Sequence, residues 1–233
     1  MIQQPEISII IPVFQEGRLL LETLDTIDAL DQRNEAEVIV AEGIEDDGRD
    51  QISMDWLVNR AVRAVTAPRG RALQMNAGAR RAKGKILLFL HADTRLPKDA
   101  LVCIRKVLSR TNSAAGAFDL GIDSPRPAFR VIEQMVYWRS RITRIPYGDQ
   151  AIFIRAPAFR ILGGYPPWPL MEDIALMQRV KAKGWTVVMA DRKIQTSARR
   201  WEREGLIRCT LRNWLLASAF YLGVKAERLN RFY

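Results

Sequence analysis

The sequence predicts an α/β fold: one domain with a mostly parallel central sheet, helices on its faces and helices at the C-terminal end. Three observations carry this expectation. Ile7-Ser8-Ile9-Ile10-Ile11 is an almost unbroken β-branched run ended by Pro12, the pattern of a strand buried on both faces. Over the first 95 residues strand-like and helix-like segments alternate, and such alternation builds parallel sheets covered by helices. The 233 residues are 48% hydrophobic and 27% charged, as in an ordinary folded domain.

The elements follow in order. After the first strand, Leu20, Leu24, Ile27 and Leu30 recur at helical spacing over 19–30. A second strand is expected at 37–41, followed by an acidic, Gly-containing stretch at 42–50. A third strand at 61–66 is stopped by Pro68, a helix covers 70–83, and 85–90 is another apolar strand. Beyond it the regularity falls. Helices are expected over 97–110, 129–141 and 171–183, and strands over 114–120, 151–154 and 185–190, with a rigid aromatic loop at 163–169. Two helical stretches, 202–222 and 225–232, finish the chain, and no linker divides it.

Composition excludes several classes. Cys103 and Cys209 lie far apart with no CxxC, which excludes a zinc ribbon or a disulfide scaffold and suits a reduced compartment. The first apolar run, 7–13, is too short for a signal peptide or a membrane span, so a cytoplasmic place is expected. Thirty-six Lys+Arg against 26 Asp+Glu give a net charge of +10, most of it beyond Arg60. That favours anionic partners: nucleotide phosphates, nucleic acid or an anionic membrane.

In open parallel sheets, ligands bind beyond the carboxyl ends of the strands. Pro12-Val13-Phe14-Gln15-Glu16 follows the first strand, and Glu42, Asp46 and Asp47 follow the second. Arg69 and Arg71 follow the third, and His91-Ala92-Asp93 the fourth. Acids and arginines thus converge on one edge. Strand alternation would put His91 and Asp93 on the same face. A carboxylate there can hold Mg²⁺ or Mn²⁺, hard cations that take oxygen ligands, diphosphate oxygens among them. The alternative for Asp93 is to cap the helix expected near Pro97.

Six fragments stand in order along the chain: Ile10-Ile11-Pro12-Val13-Phe14-Gln15-Glu16, Glu42-Gly43-Ile44-Glu45-Asp46-Asp47-Gly48, Arg71-Ala72-Leu73-Gln74-Met75-Asn76-Ala77-Gly78, Phe89-Leu90-His91-Ala92-Asp93, Gly163-Gly164-Tyr165 with Glu172-Asp173, and Arg200-Trp201. In that order they resemble the motifs of family 2 glycosyltransferases, whose GT-A fold is a Rossmann-like α/β domain. More narrowly, His91-Ala92-Asp93-Thr94, Pro146-Tyr147-Gly148-Asp149-Gln150 and Ser197-Ala198-Arg199-Arg200-Trp201 resemble a compact bacterial subgroup of that family. Gln15 stands where the family has Asn, Glu42 where it has Asp, and His91 where it has the first Asp of a pair.

The resemblance implies transfer of a sugar from a nucleoside diphosphate sugar to an acceptor hydroxyl, with inversion. It implies Asp93 as the ligand of Mg²⁺ or Mn²⁺. Pro12, Phe14, Glu16, Glu42, Asp47, Arg69, Arg71, Asn76, His91 and Ala92 would meet the nucleotide. Gly148, Asp149, Gln150, Gly164, Tyr165, Arg200 and Trp201 would meet the acceptor or the sugar. Asp173 matches the general base, and Glu172 beside it would support the loop or the acceptor. Residues 1–95 then form the nucleotide-binding half, 96–200 the acceptor-side half and 201–233 a helical extension. Within 202–222, Leu206, Ile207, Leu211, Trp214, Leu215, Ala219 and Leu222 form an apolar stripe among arginines. Such a helix can lie on an anionic membrane, which would suit a lipid-linked acceptor, or pack on the sheet.

Two rival readings stand beside this one. A nucleotidyltransferase making nucleotide sugars would carry a Gly-rich basic loop after the first strand, where Phe14-Gln15-Glu16 stands instead. A nucleic-acid-binding module would use the positive charge. Glu16, Glu42, Asp47 and Asp93 argue against it, because they repel phosphates unless a metal intervenes.

Overall fold

The computed structural model describes residues 4–44, 60–110 and 112–233. Among them, eight strands form one sheet. These are β1 (Ile7–Val13), β2 (Ala36–Ile44), β3 (Val62–Pro68), β4 (Ile86–Phe89), β5 (Thr94–Arg95), β6 (Ser113–Asp123), β7 (Phe153–Arg155) and β8 (Thr186–Ser197). Their order is β3-β2-β1-β4-β7-β6-β8-β5.

β1 shows why its sequence carries no polar face. Every residue from Ile7 to Val13 is buried. Ile7, Ile9, Ile11 and Val13 enter one core with Leu20, Leu24 and Ile27 of α1 (Gly17–Asp28) and Leu101 and Ile104 of α3 (Ala100–Leu108). Ile10 enters the opposite core with Ala72 and Met75 of α2 (Arg71–Arg81), Phe159 of α5 (Ala156–Ile161) and Leu176 of α6 (Glu172–Ala182). Each fully buried Ile or Leu side chain contributes about 1.5–3 kcal/mol of transfer free energy. The two stacked cores therefore hold this strand in register.

β1 runs parallel to β2 and β4, and β2 runs parallel to β3. Parallel pairing aligns the carboxyl ends on one edge, with Val13 opposite Glu42. Arg69 continues that edge by donating its backbone N–H to Ile44.

Beyond β4 the sheet is mixed rather than parallel. β7 is antiparallel to both β4 and β6, and β5 is antiparallel to β8. β8 runs on to Ser197, well past the expected end at 190, because β6 offers it a partner as far as Asp123. β5 and α5, of two and six residues, are too short to show a period. The helix expected over 202–222 is two helices, α7 (Arg199–Glu204) and α8 (Leu206–Tyr221). Gly205 breaks it at φ +87°, a left-handed value that suits glycine. α4 (Pro127–Thr143) and α9 (Ala226–Leu229) match expected helices.

The alternation argument for His91 and Asp93 is corrected. β4 ends at Phe89, and residues 91–94 form a turn in which Thr94 N–H donates to the His91 carbonyl. Asp93 does not cap a helix, since α3 begins at Ala100 after Asp99. No helix among the described residues is long and apolar enough to cross a membrane.

Candidate active site

A cavity of about 330 Å³ lies beyond the aligned strand ends. Pro12, Phe14, Glu16, Arg69, Arg71, His91, Ala92 and Asp93 all line it, so eight sequence-predicted residues meet there. Gln74, which no motif singled out for a role, holds the floor together. Its amide donates to the carbonyls of Val13 at 2.6 Å and Ala41 at 2.9 Å, tying β1 to β2. The Arg69 guanidinium lies 4.3 Å from the centre of the Phe14 ring.

Glu16 and Asp93 stand together. Arg199 Nη2 lies 3.5 Å from Asp93 Oδ2 and 4.0 Å from Glu16 Oε1. Burial, and then the charge of Asp93, raise the Glu16 carboxyl above its usual range, with Arg199 pulling the other way. Among the described residues there is no cluster of three or more His, Cys, Asp or Glu that could hold a metal ion. Two adjacent carboxylates beside an open cavity still fit Mg²⁺ or Mn²⁺. Such ions are commonly held by one or two carboxylates, with water and substrate phosphates completing the shell.

A second cavity, of about 220 Å³, lies against the first. Arg71, His91 and Asp93 line both and form the wall between them. The Arg71 Nε donates to Glu172 Oε1 at 2.5 Å, and Glu172 is only 1% exposed. Burial works against the charge on Arg71, but Glu172 and then Asp173 outweigh it and hold the guanidinium charged. Burial, and then Arg71, push the His91 imidazole down to about 4, so it is neutral at physiological pH.

Asp173 faces the second cavity from the first turn of α6. Its Oδ2 accepts the Gly148 N–H at 2.6 Å, and its Oδ1 accepts the Ile174 N–H at 2.7 Å. A Cβ on Gly148 would sit 3.3 Å from both Asp173 Oδ2 and His91 Nε2, so the bare backbone lets the two side chains close in. Asp149 lines the same cavity with its Oδ1 buried and without a hydrogen-bond partner. Burial raises its carboxyl above the usual range, against the pull of Arg139. Arg200 and Trp201 complete the predicted lining, with Trp201 edge-on to Phe129 at 5.9 Å. Tyr147, Thr196, Ser197, Asn213, Leu216, Ala217 and Tyr233 also line it, and none was expected as a site residue.

Several predicted residues do not reach either cavity. Asn76 grips the backbone of Tyr165 from both sides: its Oδ1 accepts the N–H at 3.0 Å and its Nδ2 donates to the carbonyl at 2.8 Å. The Tyr165 ring is buried against Phe89 and Phe159. Gly164 lies at φ +76°, where a Cβ would come within 2.7 Å of Asn76 Oδ1. These three form a clamp between α2 and the 163–165 loop. Gln150 is fully buried and accepts from Arg139, Ser140 and the Tyr147 N–H while donating to the Phe118 carbonyl, which fixes the 147–150 turn. Glu42 is buried at the end of β2 and Glu172 behind Arg71, and neither lines either of these two cavities. Trp168 packs on Phe220. Asp47 lies outside the described residues.

Residues 8–162 match the model of Glycosyl transferase family 2. A sequence comparison with curated proteins found no match. Among solved structures, the chain is similar to the mannosyltransferase PcManGT from Pyrobaculum calidifontis, solved with GDP-Man and Mn²⁺. The identity is 22% and the TM-score 0.66, covering 97% of this chain and 67% of that one. It is similar to residues 1–349 of S. aureus TarS at 13% identity and a TM-score of 0.60, covering 97% and 69%. It is also similar to GalNAc-T7, solved with UDP, GalNAc and Mn²⁺, at 15% identity and a TM-score of 0.63, covering 84% and 44%. At these identities the likeness shows a shared fold.

Proposed function

This chain belongs to Glycosyl transferase family 2, an enzyme family of glycosyl transfer, and on that premise we propose that it moves a sugar from a nucleoside diphosphate sugar to an acceptor hydroxyl with inversion and with the help of a divalent metal. One observation carries the reading. Arg71, His91 and Asp93 line both cavities, so a reacting centre at this wall touches an anion-binding side and a side that holds a carboxylate base. The nucleotide sugars and Mn²⁺ named with the similar structures support it.

In this reading the donor diphosphate occupies the larger cavity, where Arg69 and Arg71 oppose its charge. Asp93, with Glu16 beside it, would hold Mg²⁺ or Mn²⁺, which when bound supplies further charge neutralisation for the departing diphosphate. His91, being neutral, offers a hydrogen bond there without competing for anions. On the other side Asp173 takes the proton of the acceptor hydroxyl. The Gly148 and Ile174 N–H groups fix its carboxylate plane. The acceptor oxygen then attacks the anomeric carbon from the face opposite the diphosphate, which inverts the centre. Glu172 acts through Arg71 as a positioning residue. Residues 1–95 serve the donor, 96–200 the acceptor, and 201–233 close the acceptor cavity.

The test is calorimetric titration of nucleoside diphosphates with and without Mn²⁺. Asp93→Ala, at a turn whose Asp93 side chain is 27% exposed, should keep the fold and lose the Mn²⁺-dependent part of the affinity. Equal Mn²⁺-dependent affinity in the variant would remove Asp93 from this role.

A further inference from the structure

Helix α8 has two functional faces. Its inner face brings Asn213, Leu216 and Ala217 to the acceptor cavity. Its outer face exposes Ile207, Leu211, Trp214, Leu215 and, just past its end, Leu222, which is 86% exposed. The spacing is helical, so these side chains form one stripe. α4 repeats the arrangement. It buries Phe129, Ile132 and Val136 in the core, yet exposes Val131, Met135, Trp138 and Ile142, the last at 77%. A surface helix normally hides its apolar stripe, and each of these carries a second one.

The two helices belong to one side of the molecule. Phe129 near the start of α4 meets Trp201 of α7, just before α8. Further along, Arg139 stacks on Tyr147 at 3.4 Å, and Tyr147 is an electrostatic neighbour of Tyr221, the last residue of α8. Charge is concentrated on the same segments. Residues 126–144 carry five arginines and one glutamate, and residues 199–233 carry eight Lys and Arg and three glutamates. These stretches thus contribute +4 and +5 in a chain whose net charge is +10, with Arg141 paired to Asp119 and Arg199 and Arg200 turned toward the cavities.

We propose that the exposed faces of α4 and α8 dock on the surface of an anionic lipid bilayer. Apolar stripes bordered by cations match a surface of acyl chains beneath negative headgroups. A second copy of this basic chain would be repelled by the same cations. Because no described helix can cross a membrane, the helices lie on the surface and do not span it. Docking would hold the acceptor cavity, walled by the inner face of α8, at headgroup level. The corollary that the acceptor carries a lipid tail rests on the glycosyl-transfer reading; docking itself does not.

The experiment is co-sedimentation of the full chain with phosphatidylcholine vesicles, with and without phosphatidylglycerol. The chain should pellet with the anionic vesicles, be released by high salt, and stay in solution with the neutral ones. Ile207→Ser with Leu215→Ser alters two exposed side chains away from both cavities. It should lower the partition coefficient by at least about tenfold, as expected when two large side chains no longer enter the bilayer. Nucleotide binding by calorimetry should be unchanged, which separates this test from that of the donor site. No pelleting with anionic vesicles, equal pelleting of the double variant, or a dimer by light scattering that the double variant abolishes would overturn the proposal.

Discussion

Every residue that lines the cavity proposed for the donor comes from positions 12–93, at or just past the end of a parallel strand or in the first turns of α2. The cavity proposed for the acceptor shares Arg71, His91 and Asp93 with the first and adds the 147–149 turn, residues 170–174, the end of β8, α7, α8 and Tyr233. The first is a by-product of parallel pairing, which aligns strand ends whatever the rest of the chain does. The second exists only after distant segments close on one another. Ser197 donates its backbone N–H to the Asp93 carbonyl, Arg71 reaches Glu172, and Gly148 reaches Asp173. Donor and acceptor sides should therefore fail differently, with ground-state nucleotide binding robust and turnover sensitive to long-range packing.

The largest expected effect tests that separation directly. Asp173→Asn keeps size and shape but cannot take a proton, so release of nucleoside diphosphate from the sugar donor should slow by about 10²–10⁴-fold. Affinity for the nucleotide should not change, as titration will check. Near-normal turnover in this variant, with loss in Glu172→Gln, would move the base to Glu172. A product of retained configuration would break the inverting mechanism as a whole.

The next effect concerns the wall between the cavities. Arg71→Met leaves Glu172 buried without its cation. The cost should be about 2–3 kcal/mol in urea unfolding, below the full value for a buried pair, because Arg71 keeps 34% of its side chain exposed. Adding Glu172→Leu to Arg71→Met should recover most of that stability, while weak diphosphate binding persists. A single variant as stable as the parent would show that the pair does not organise the wall.

The smallest effect is a gain. Burial holds the Asp149 carboxyl above the usual range, so the folded chain takes up this proton at a higher pH than the unfolded chain does. Between the two values the folded state binds more protons, and stability falls as pH rises through that window. Asp149→Asn removes the ionised form. It should stabilise the protein at neutral pH by about 0.5–2 kcal/mol, with the gain fading below about pH 4, where the unfolded acid is also protonated. Thermal unfolding at several pH values measures it. A loss at neutral pH would show that the carboxylate is instead satisfied in the fold.

The larger cavity was legible in the sequence because parallel topology says where the strand ends gather. An isoleucine run names a buried parallel strand, and Pro12, Phe14 and Glu16 at and past its end line the cavity there. Arg69, Arg71, His91, Ala92 and Asp93 follow by the same rule. The acceptor side was half legible. Asp149, Asp173, Arg200 and Trp201 stand in motifs and line the cavity, yet Asn76, Gly164 and Tyr165 stand in motifs and form a clamp instead. A motif marks a demanding position without saying whether the demand is chemical or structural.

The sequence by itself determined the alternating α/β order, the buried central strand, the set of residues at the first strand ends and the basic, amphipathic C-terminal segment. These are local properties, written in periods of two and 3.6 residues and in the residues that stop them. The tertiary structure alone decided the antiparallel insertion of β7 and the pairing of β5 with β8, which lays Ser197 over Asp93. It also decided that Glu172 answers Arg71, that Arg199 reaches Asp93 and Glu16, and which face of α8 the core covers. Those facts join residues up to 183 positions apart, as Arg199 and Glu16 are, and no local period encodes such a distance. They are settled when the two cores close and each buried charge must find a partner.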